Sequence, residues 1–174
     1  FRLPQKVLDE EIGAIVGMGV DLQLGQRVDS MRKLLEQGGY DAVFVGSGAP
    51  KGKELNLPGR REAAANVHIG IAWLESIAFD HVKEIGKRVL IIGVGNTAMD
   101  CCRSSLRLGA SEVKVMARKP RQFFKASEWE LEDAEAENVQ IVINRAPKNF
   151  VVENGRLKGM TFDVMEYDFD THGQ

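Results

Sequence analysis

Hydrophobic and polar positions follow two alternating spacings along this chain. Five segments carry apolar residues at helical spacing, namely 4–19, 30–39, 67–79, 97–110 and 126–138. Shorter runs that are continuously apolar or strictly alternating predict strands, and these lie at 20–28, 40–49, 88–92, 112–118 and 139–143. Helices and strands that alternate in this way predict an α/β fold with a parallel sheet.

Turn-forming and capping residues refine this pattern. Asn154-Gly155 stands between two β-prone runs and predicts a hairpin. Ser127, followed three positions later by Glu130, predicts a capping box at the start of the acidic helix, and Asp29 or Ser30 can cap the helix of 30–39. The charged, turn-rich segment 50–61 is the best candidate for a hinge or a domain boundary.

Composition narrows the class of protein. The 174 residues are 44% hydrophobic with a net charge of −2, which suits one full domain plus part of another and points to no nucleic-acid partner. The sequence has no stretch of 18 or more apolar residues, so it predicts no membrane span. The adjacent Cys101 and Cys102 exclude a CxxC motif and disfavour a mutual disulfide, so we expect a reducing, cytoplasmic setting. The first residue, Phe1, and the polar end suggest a piece of a longer protein.

A glycine-rich turn follows the strand of 88–92 in the stretch RVLIIGVGNTAMDCC. Gly93 permits a tight turn, Gly95 lets the backbone approach a pyrophosphate, and Ala98 allows close helix–strand packing. The helix that begins near Asn96 and Thr97 then directs free N–H groups at the phosphates. The alternative is a glycine-rich turn that binds no ligand.

The residues after the second strand of this unit indicate which dinucleotide would bind. An NAD site usually has Asp or Glu there, which bonds the ribose 2′-hydroxyl. This chain has Arg118, Lys119, Pro120 and Arg121, with Lys125 a little further on. A guanidinium can hold a 2′-phosphate with two hydrogen bonds, so the pattern predicts NADP(H). The alternative is a solvated basic turn. A nucleic-acid site is disfavoured, because no wider basic face and no stacking aromatic residues accompany these four residues.

Two long stretches make the chain resemble a known family. They are YDAVFVGSGAPKGKELNLPG and GKRVLIIGVGNTAMDCCRSSLRLGASEVKVMARK. Together with ASEWELEDAEAENVQ and ENGRLKGMTFDVME, they resemble the small (β) subunit of NADPH-dependent glutamate synthase and its relatives, which include the amino-terminal flavin region of dihydropyrimidine dehydrogenase. The likeness covers nearly the whole chain, and its most specific parts are GNTAMD and the RK that follows the next strand.

The resemblance implies a FAD domain that is interrupted by an NADPH domain, with electrons passing from flavin to iron–sulfur clusters or a partner subunit. The fold would be a Rossmann-like, three-layer parallel sheet with a β-hairpin or meander, flanked by part of a second Rossmann-like FAD domain. Residues 1–66 would be the middle of the FAD domain plus the hinge, and residues 67–174 the NADPH domain.

The resemblance also implies the site residues and what lies outside the chain. The second flavin-contacting turn would be Gly46, Ser47, Gly48 and Ala49. The NADPH site would comprise Gly93, Gly95, Asn96, Thr97, Ala98, Arg118, Lys119 and Lys125. The first flavin turn would precede Phe1, the closing flavin segment would follow Gln174, and an iron–sulfur domain and a large catalytic subunit would lie elsewhere. We therefore expect the chain to bind NADPH and, by itself, not to complete a catalytic cycle.

The remaining residue types do not demand further chemistry. Hydride transfer from nicotinamide to flavin needs no general base, so His68, His81 and His172 are expected to be structural or solvent-facing. At least one of the two cysteines is expected to pack against the sheet, and both tryptophans, Trp73 and Trp129, are expected to pack. The acidic run 128–137 is either a solvated helix face or a docking surface for a partner subunit.

Two other functions stay open. One is a non-catalytic NADP(H)-binding module, such as a sensor. The other is a methyltransferase-type site for S-adenosylmethionine, against which Arg118 argues because that class generally has an acidic residue at this position.

Overall fold

The computed structural model describes residues 3–167. The chain forms two compact units that meet in sequence between Gly46 and Ser47. The predicted boundary between a flavin and an NADPH domain lies between residues 66 and 67, and it stays a prediction. Within the described residues, no helix has both the length and the apolar character needed to cross a bilayer.

The first unit contains helices α1 (Gln5–Gly17) and α2 (Met31–Gln37). Both were predicted, and Ser30 caps α2 because its Oγ accepts a hydrogen bond from the N–H of Lys33 at 3.3 Å. The predicted strands at 20–28 and 40–49 are wrong, since both segments lack regular structure. An apolar run becomes a strand only beside a pairing partner, and neither segment has one among the described residues.

The second unit is built around a parallel sheet of three strands in the order β1-β2-β3. The strands are β1 (Arg88–Ile92), β2 (Glu112–Met116) and β3 (Gln140–Val142). Its helices are α3 (Gly70–Ala78), α4 (Asn96–Arg107) and α5 (Glu128–Ala136). Helix α4 connects β1 to β2, and α5 connects β2 to β3. This succession is that of half a Rossmann fold.

The core of this unit lies between the sheet and helices α4 and α5. Val113 and Val115 of β2 are buried on the face that α4 covers, as expected from the alternation of side chains along a strand. The core residues are Ala98, Met99, Cys102, Ala110, Val113, Val115, Leu131, Ala134 and Val139. Trp73 is also buried, as predicted.

A separate antiparallel hairpin completes the second unit. Strands β4 (Arg145–Glu153) and β5 (Arg156–Val164) are joined by Asn154 and Gly155, with φ of 51° and 71°. These two positive φ angles match a type I′ turn, which confirms the predicted hairpin. The N–H of Phe150 donates to the carbonyl of Pro58 at 2.9 Å, so the end of the predicted hinge is attached to the hairpin. Between the predicted hinge and α3, a short 3₁₀ helix spans Ala64–Asn66.

Helix α5 differs from the prediction in one side chain. Trp129 was expected to pack, yet 61% of its surface is exposed. It stands two residues before the buried Leu131, which is about 200° around the helix and therefore on the opposite face.

The acids of the run 128–137 bond largely to arginines of the same chain. Arg103 contacts Asp133 at 2.9 Å, and Arg121 contacts Glu128 and Glu135, each at 2.6 Å. This arrangement favours a structural role for much of the acidic face over a docking surface.

Candidate functional site

The glycine-rich turn leaves the carboxyl end of β1, as predicted. Gly93 has φ of +115°, a conformation that L side chains rarely adopt, so this position requires glycine. Its N–H donates to the carbonyl of Met116, at the end of β2, at 3.1 Å. The turn therefore lies against the carboxyl edge of the sheet, where open α/β folds bind their ligands.

The amino terminus of α4 has the features of an anion site. Gly95 is its N-cap, and no side chain caps the helix. The N–H groups of Ala98 and Met99 donate to the carbonyl of Gly95, whereas those of Asn96 and Thr97 find no carbonyl acceptor among the residues described. A Cβ built on Gly95 would meet nothing within 4 Å, so the space beside its backbone is open. Free donors, a helix dipole and open space fit a pyrophosphate.

The predicted basic pair follows β2 at the same edge. Arg118 and Lys119 are both exposed. The backbone carbonyl of Arg118 accepts a hydrogen bond from the hydroxyl of Tyr167, while its guanidinium has no ion pair or hydrogen bond within 3–167. Lys119 Nζ lies 5.1 Å from the centre of the Phe123 ring, a cation–π contact. Arg118 thus has a fixed backbone and an uncommitted side chain.

Arg121 differs from its neighbours in the basic run. It binds the carboxylates of Glu128 and Glu135, and these hydrogen bonds raise the pKa of its guanidinium. Because its donors serve α5, Arg121 is a structural residue in this conformation. The cations left for a phosphate are Arg118, Lys119 and Lys125.

The structure brings Lys125 to the glycine turn. The N–H groups of Lys125 and Ala126 both donate to the carbonyl of Val94 at 3.1 Å. The N–H of Ser127 donates to the side-chain Oδ1 of Asn96 at 3.2 Å. The sequence did not predict these contacts of Val94 and Ser127. No local spacing rule links residues as far apart as Asn96 and Ser127, which are separated by 31 positions.

The predicted capping box at α5 is not formed. Ser127 is the N-cap, but its side chain accepts no capping hydrogen bond; its Oγ donates instead to Glu130 Oε2 at 3.3 Å. In a capping box, the N–H of Ser127 would donate to Glu130. Here Asn96 takes that N–H, so a tertiary contact replaces half of a local motif.

The two cysteines are buried within α4. Cys102 is fully buried, and its Sγ donates to the carbonyl of Met99 at 3.1 Å. Burial raises the pKa of its thiol to about 11. Cys101 is also buried, and its Sγ donates to the carbonyl of Gly70 at 3.7 Å; no disulfide joins it to Cys102, as predicted.

His68 and His81 are exposed, and His172 lies outside the described residues. Residues 3–167 contain no group of three or more His, Cys, Asp or Glu side chains arranged to hold a metal.

The predicted flavin turn has a different setting from the glycine turn. Gly46, Ser47, Gly48 and Ala49 are exposed and belong to no helix or strand. The boundary between the two compact units falls inside this segment. The flavin contact of these four residues therefore stays a prediction.

Comparison with known proteins agrees with the fold. The family model described as pyridine nucleotide-disulphide oxidoreductase matches residues 7–172. This chain belongs to that family. The family binds FAD and NADP(H), so the predicted cofactor classes and the predicted class of enzyme, a pyridine-nucleotide flavin oxidoreductase, are confirmed at the level of the family.

Curated relatives confirm the resemblance drawn from the sequence. The chain is 38% identical to the NADP(+)-dependent formate dehydrogenase subunit beta of Moorella thermoacetica, over 92% of this chain and 23% of that protein. It is 32% identical to the glutamate synthase [NADPH] small chain of Halomonas elongata, over 92% of this chain and 36% of that protein. The chain therefore spans only about a quarter to a third of these relatives.

A solved structure supports the fold alone. Thioredoxin reductase of T. acidophilum matches 71% of this chain and 36% of its own length with a TM-score of 0.54 and 17% identity. The predicted Rossmann-like class is therefore confirmed.

Proposed function

We propose that this chain is the NADPH-binding portion of a FAD-dependent pyridine-nucleotide oxidoreductase similar to the glutamate synthase small subunit. One observation supports this proposal above the others. The open helix terminus at Gly95 and the guanidinium of Arg118, which has no partner within residues 3–167, lie at the ends of paired, neighbouring strands. A pyrophosphate and a 2′-phosphate of one nucleotide need such a pair of sites.

Different residues would bind the pyrophosphate and the 2′-phosphate of the nucleotide. The N–H groups of Asn96 and Thr97 would donate to the pyrophosphate, where the positive end of the α4 dipole also lies. Arg118 would hold the 2′-phosphate with paired hydrogen bonds, because its guanidinium is exposed and uncommitted. Lys119 and Lys125 would add positive charge around the same phosphate.

The chemistry would come from the cofactors. Bound NADPH would supply a hydride to FAD in the complete protein, and from there electrons would pass to iron–sulfur centres or to a partner subunit. The protein in this region would bind, orient and shield the nucleotide, and it would need no general acid or base. The names of relatives support this route, since one is an NADP(+)-dependent formate dehydrogenase subunit beta and another an NADPH-Fe(3+) oxidoreductase subunit beta. We further propose a cytoplasmic location.

The second candidate is an NADP(H)-binding module without redox chemistry, such as a sensor. The same glycine turn and Arg118 would serve it, so nucleotide binding does not separate the two. Anaerobic addition of NADPH to the complete protein does. Loss of flavin absorbance supports the oxidoreductase, whereas bound NADPH with no flavin or no bleaching supports the sensor.

Calorimetric titration with NADPH and NADH at the same salt concentration tests the nucleotide preference. We expect wild type to prefer NADPH by about tenfold or more, since a charge-assisted hydrogen bond contributes about 1.5–3 kcal/mol. Arg118→Ala should abolish most of that preference. Arg156→Ala, which removes the same charge from the exposed first residue of β5, should retain it. Equal binding of both nucleotides by wild type would contradict the 2′-phosphate assignment.

A further inference from the structure

We infer that Asn96 is a positioning residue that holds the basic loop 118–125 against the glycine turn and thereby sets the preference for a 2′-phosphorylated nucleotide. This inference rests on the proposed function. It gives the side chain of Asn96 a task other than direct contact with the pyrophosphate.

The loop is closed at both ends on the same turn. At its start, Gly93 donates to the carbonyl of Met116 at 3.1 Å, just before Arg118. At its end, Val94 accepts from the N–H groups of Lys125 and Ala126, each at 3.1 Å. Arg118 and Lys125 are therefore both held near the two glycines, although seven positions separate them in the sequence.

Asn96 adds the side-chain bond to this closure. Its Oδ1 accepts the N–H of Ser127 at 3.2 Å, two residues after Lys125. Glu130 would bond this N–H in a complete capping box. By accepting this N–H in place of Glu130, the side chain of Asn96 joins the start of α5 to the start of α4. The backbone N–H of Asn96 stays available for a phosphate.

Loss of the Asn96 side chain should therefore act through the cations of the loop. Without Oδ1, the N–H of Ser127 loses its hydrogen bond to α4, and the loop gains freedom that a bound 2′-phosphate must remove. Because a neutral hydrogen bond contributes modestly, we expect Asn96→Ala to lower the NADPH-to-NADH affinity ratio by about two- to tenfold. A residue that contacts only the pyrophosphate would lower both affinities equally, since both nucleotides carry that group.

A double-mutant cycle makes this distinction. Wild type, Asn96→Ala, Lys125→Ala and the double variant are titrated with both nucleotides by calorimetry. If Asn96 works by placing Lys125, the double variant has the same affinity ratio as Lys125→Ala alone. Asn96→Asp keeps the acceptor for Ser127 and should preserve the ratio, although its charge weakens the binding of both nucleotides. Gln140→Ala, at the opposite end of the parallel strands, is the control for loss of an exposed amide.

Additive effects in the cycle, or an equal loss for NADPH and NADH, would overturn the inference while leaving the proposed function intact. If wild type shows no preference, the 2′-phosphate proposal fails, and the preference claimed here fails with it. The contact itself has an independent readout in amide hydrogen exchange of the free protein. Asn96→Ala should speed exchange at Ser127, and unchanged protection there would refute the positioning role.

Discussion

Arg103 of α4 and Glu137, the C-cap residue of α5, form an ion pair at 2.9 Å that joins the two helices beside the core. Arg107 reaches the same carboxylate at 2.7 Å. The hydrogen bond from Arg107, followed by that from Arg103, lowers the pKa of Glu137 to about 2. Only 26% of the Glu137 side chain and 14% of that of Arg103 are exposed, so solvent screens this pair less than a surface pair.

The depressed pKa of Glu137 predicts a pH-dependent contribution to stability. In the unfolded chain its pKa returns to about 4.5, so the stabilisation is complete above that pH and decreases as pH falls toward 2. We expect Glu137→Gln to cost about 1–2 kcal/mol near pH 7 after allowance for partial exposure. The cost should decrease progressively below pH 5. Urea unfolding followed by tryptophan fluorescence at several pH values measures it.

Glu132→Gln is the matched control for this prediction, because Glu132 is exposed on the same helix and has no ion pair within the described part of the chain. Its unfolding free energy should stay within about 0.5 kcal/mol of wild type. A pH-independent cost for Glu137→Gln would show that the carboxylate charge is not what joins the helices.

Gly59 should tolerate substitution less well than Gly109. Both have positive φ, +80° and +94°, but a Cβ on Gly59 would lie 2.5 Å from the carbonyl oxygen of Phe150, whereas Gly109 faces open space. Gly109→Ala should cost about 1–2 kcal/mol for the left-handed backbone. Gly59→Ala should cost about 1–3 kcal/mol more, because the hairpin must move. Equal losses in denaturant unfolding would contradict this packing of Gly59 on β4.

Gly95→Thr should weaken nucleotide binding without changing the stability of the fold. Threonine is about as favourable as glycine at an N-cap, and the space beside Gly95 is open, so the free energy of unfolding should change by less than about 0.5 kcal/mol. The new side chain would occupy the region where a pyrophosphate should approach. We therefore expect calorimetry to show that NADPH and NADH lose affinity by a similar factor.

A second result would distinguish Gly95→Thr from the Arg118 variant, whose loss should fall on NADPH. If Gly95→Thr binds both nucleotides as wild type does, the pyrophosphate lies elsewhere.

The two cysteines should resist alkylation in the folded protein. Cys101 and Cys102 are 3% and 0% exposed, and the pKa of Cys102 is raised to about 11 by burial. Because the thiolate is the reactive form, iodoacetamide at pH 8 should modify neither residue at an appreciable rate. The same reagent in guanidinium chloride should label both, which mass spectrometry can count. Rapid labelling of the folded chain would show that α4 opens or packs differently.

Local patterns in the sequence were sufficient for the helices, the parallel strands and the hairpin. The glycine turn has its own conformational reason, since Gly93 needs a positive φ, and Asn154-Gly155 encodes its hairpin turn in two residues. The pattern failed at 20–28 and 40–49, where apolar alternation met no partner strand within the described residues. Strand formation depends on a neighbour that a local pattern does not specify.

The basic run shows most clearly what tertiary structure decided. The sequence alone indicated a cluster of cations after β2, because those residue types are adjacent in the chain. It did not show that Arg121 binds two carboxylates of α5 while Arg118 has no such partner in the described part of the chain. Nor did it show that Asn96, and not Glu130, would accept the N–H of Ser127. Hydrogen bonds between residues far apart in sequence depend on how α4, α5 and the sheet pack, and only the folded chain sets those distances.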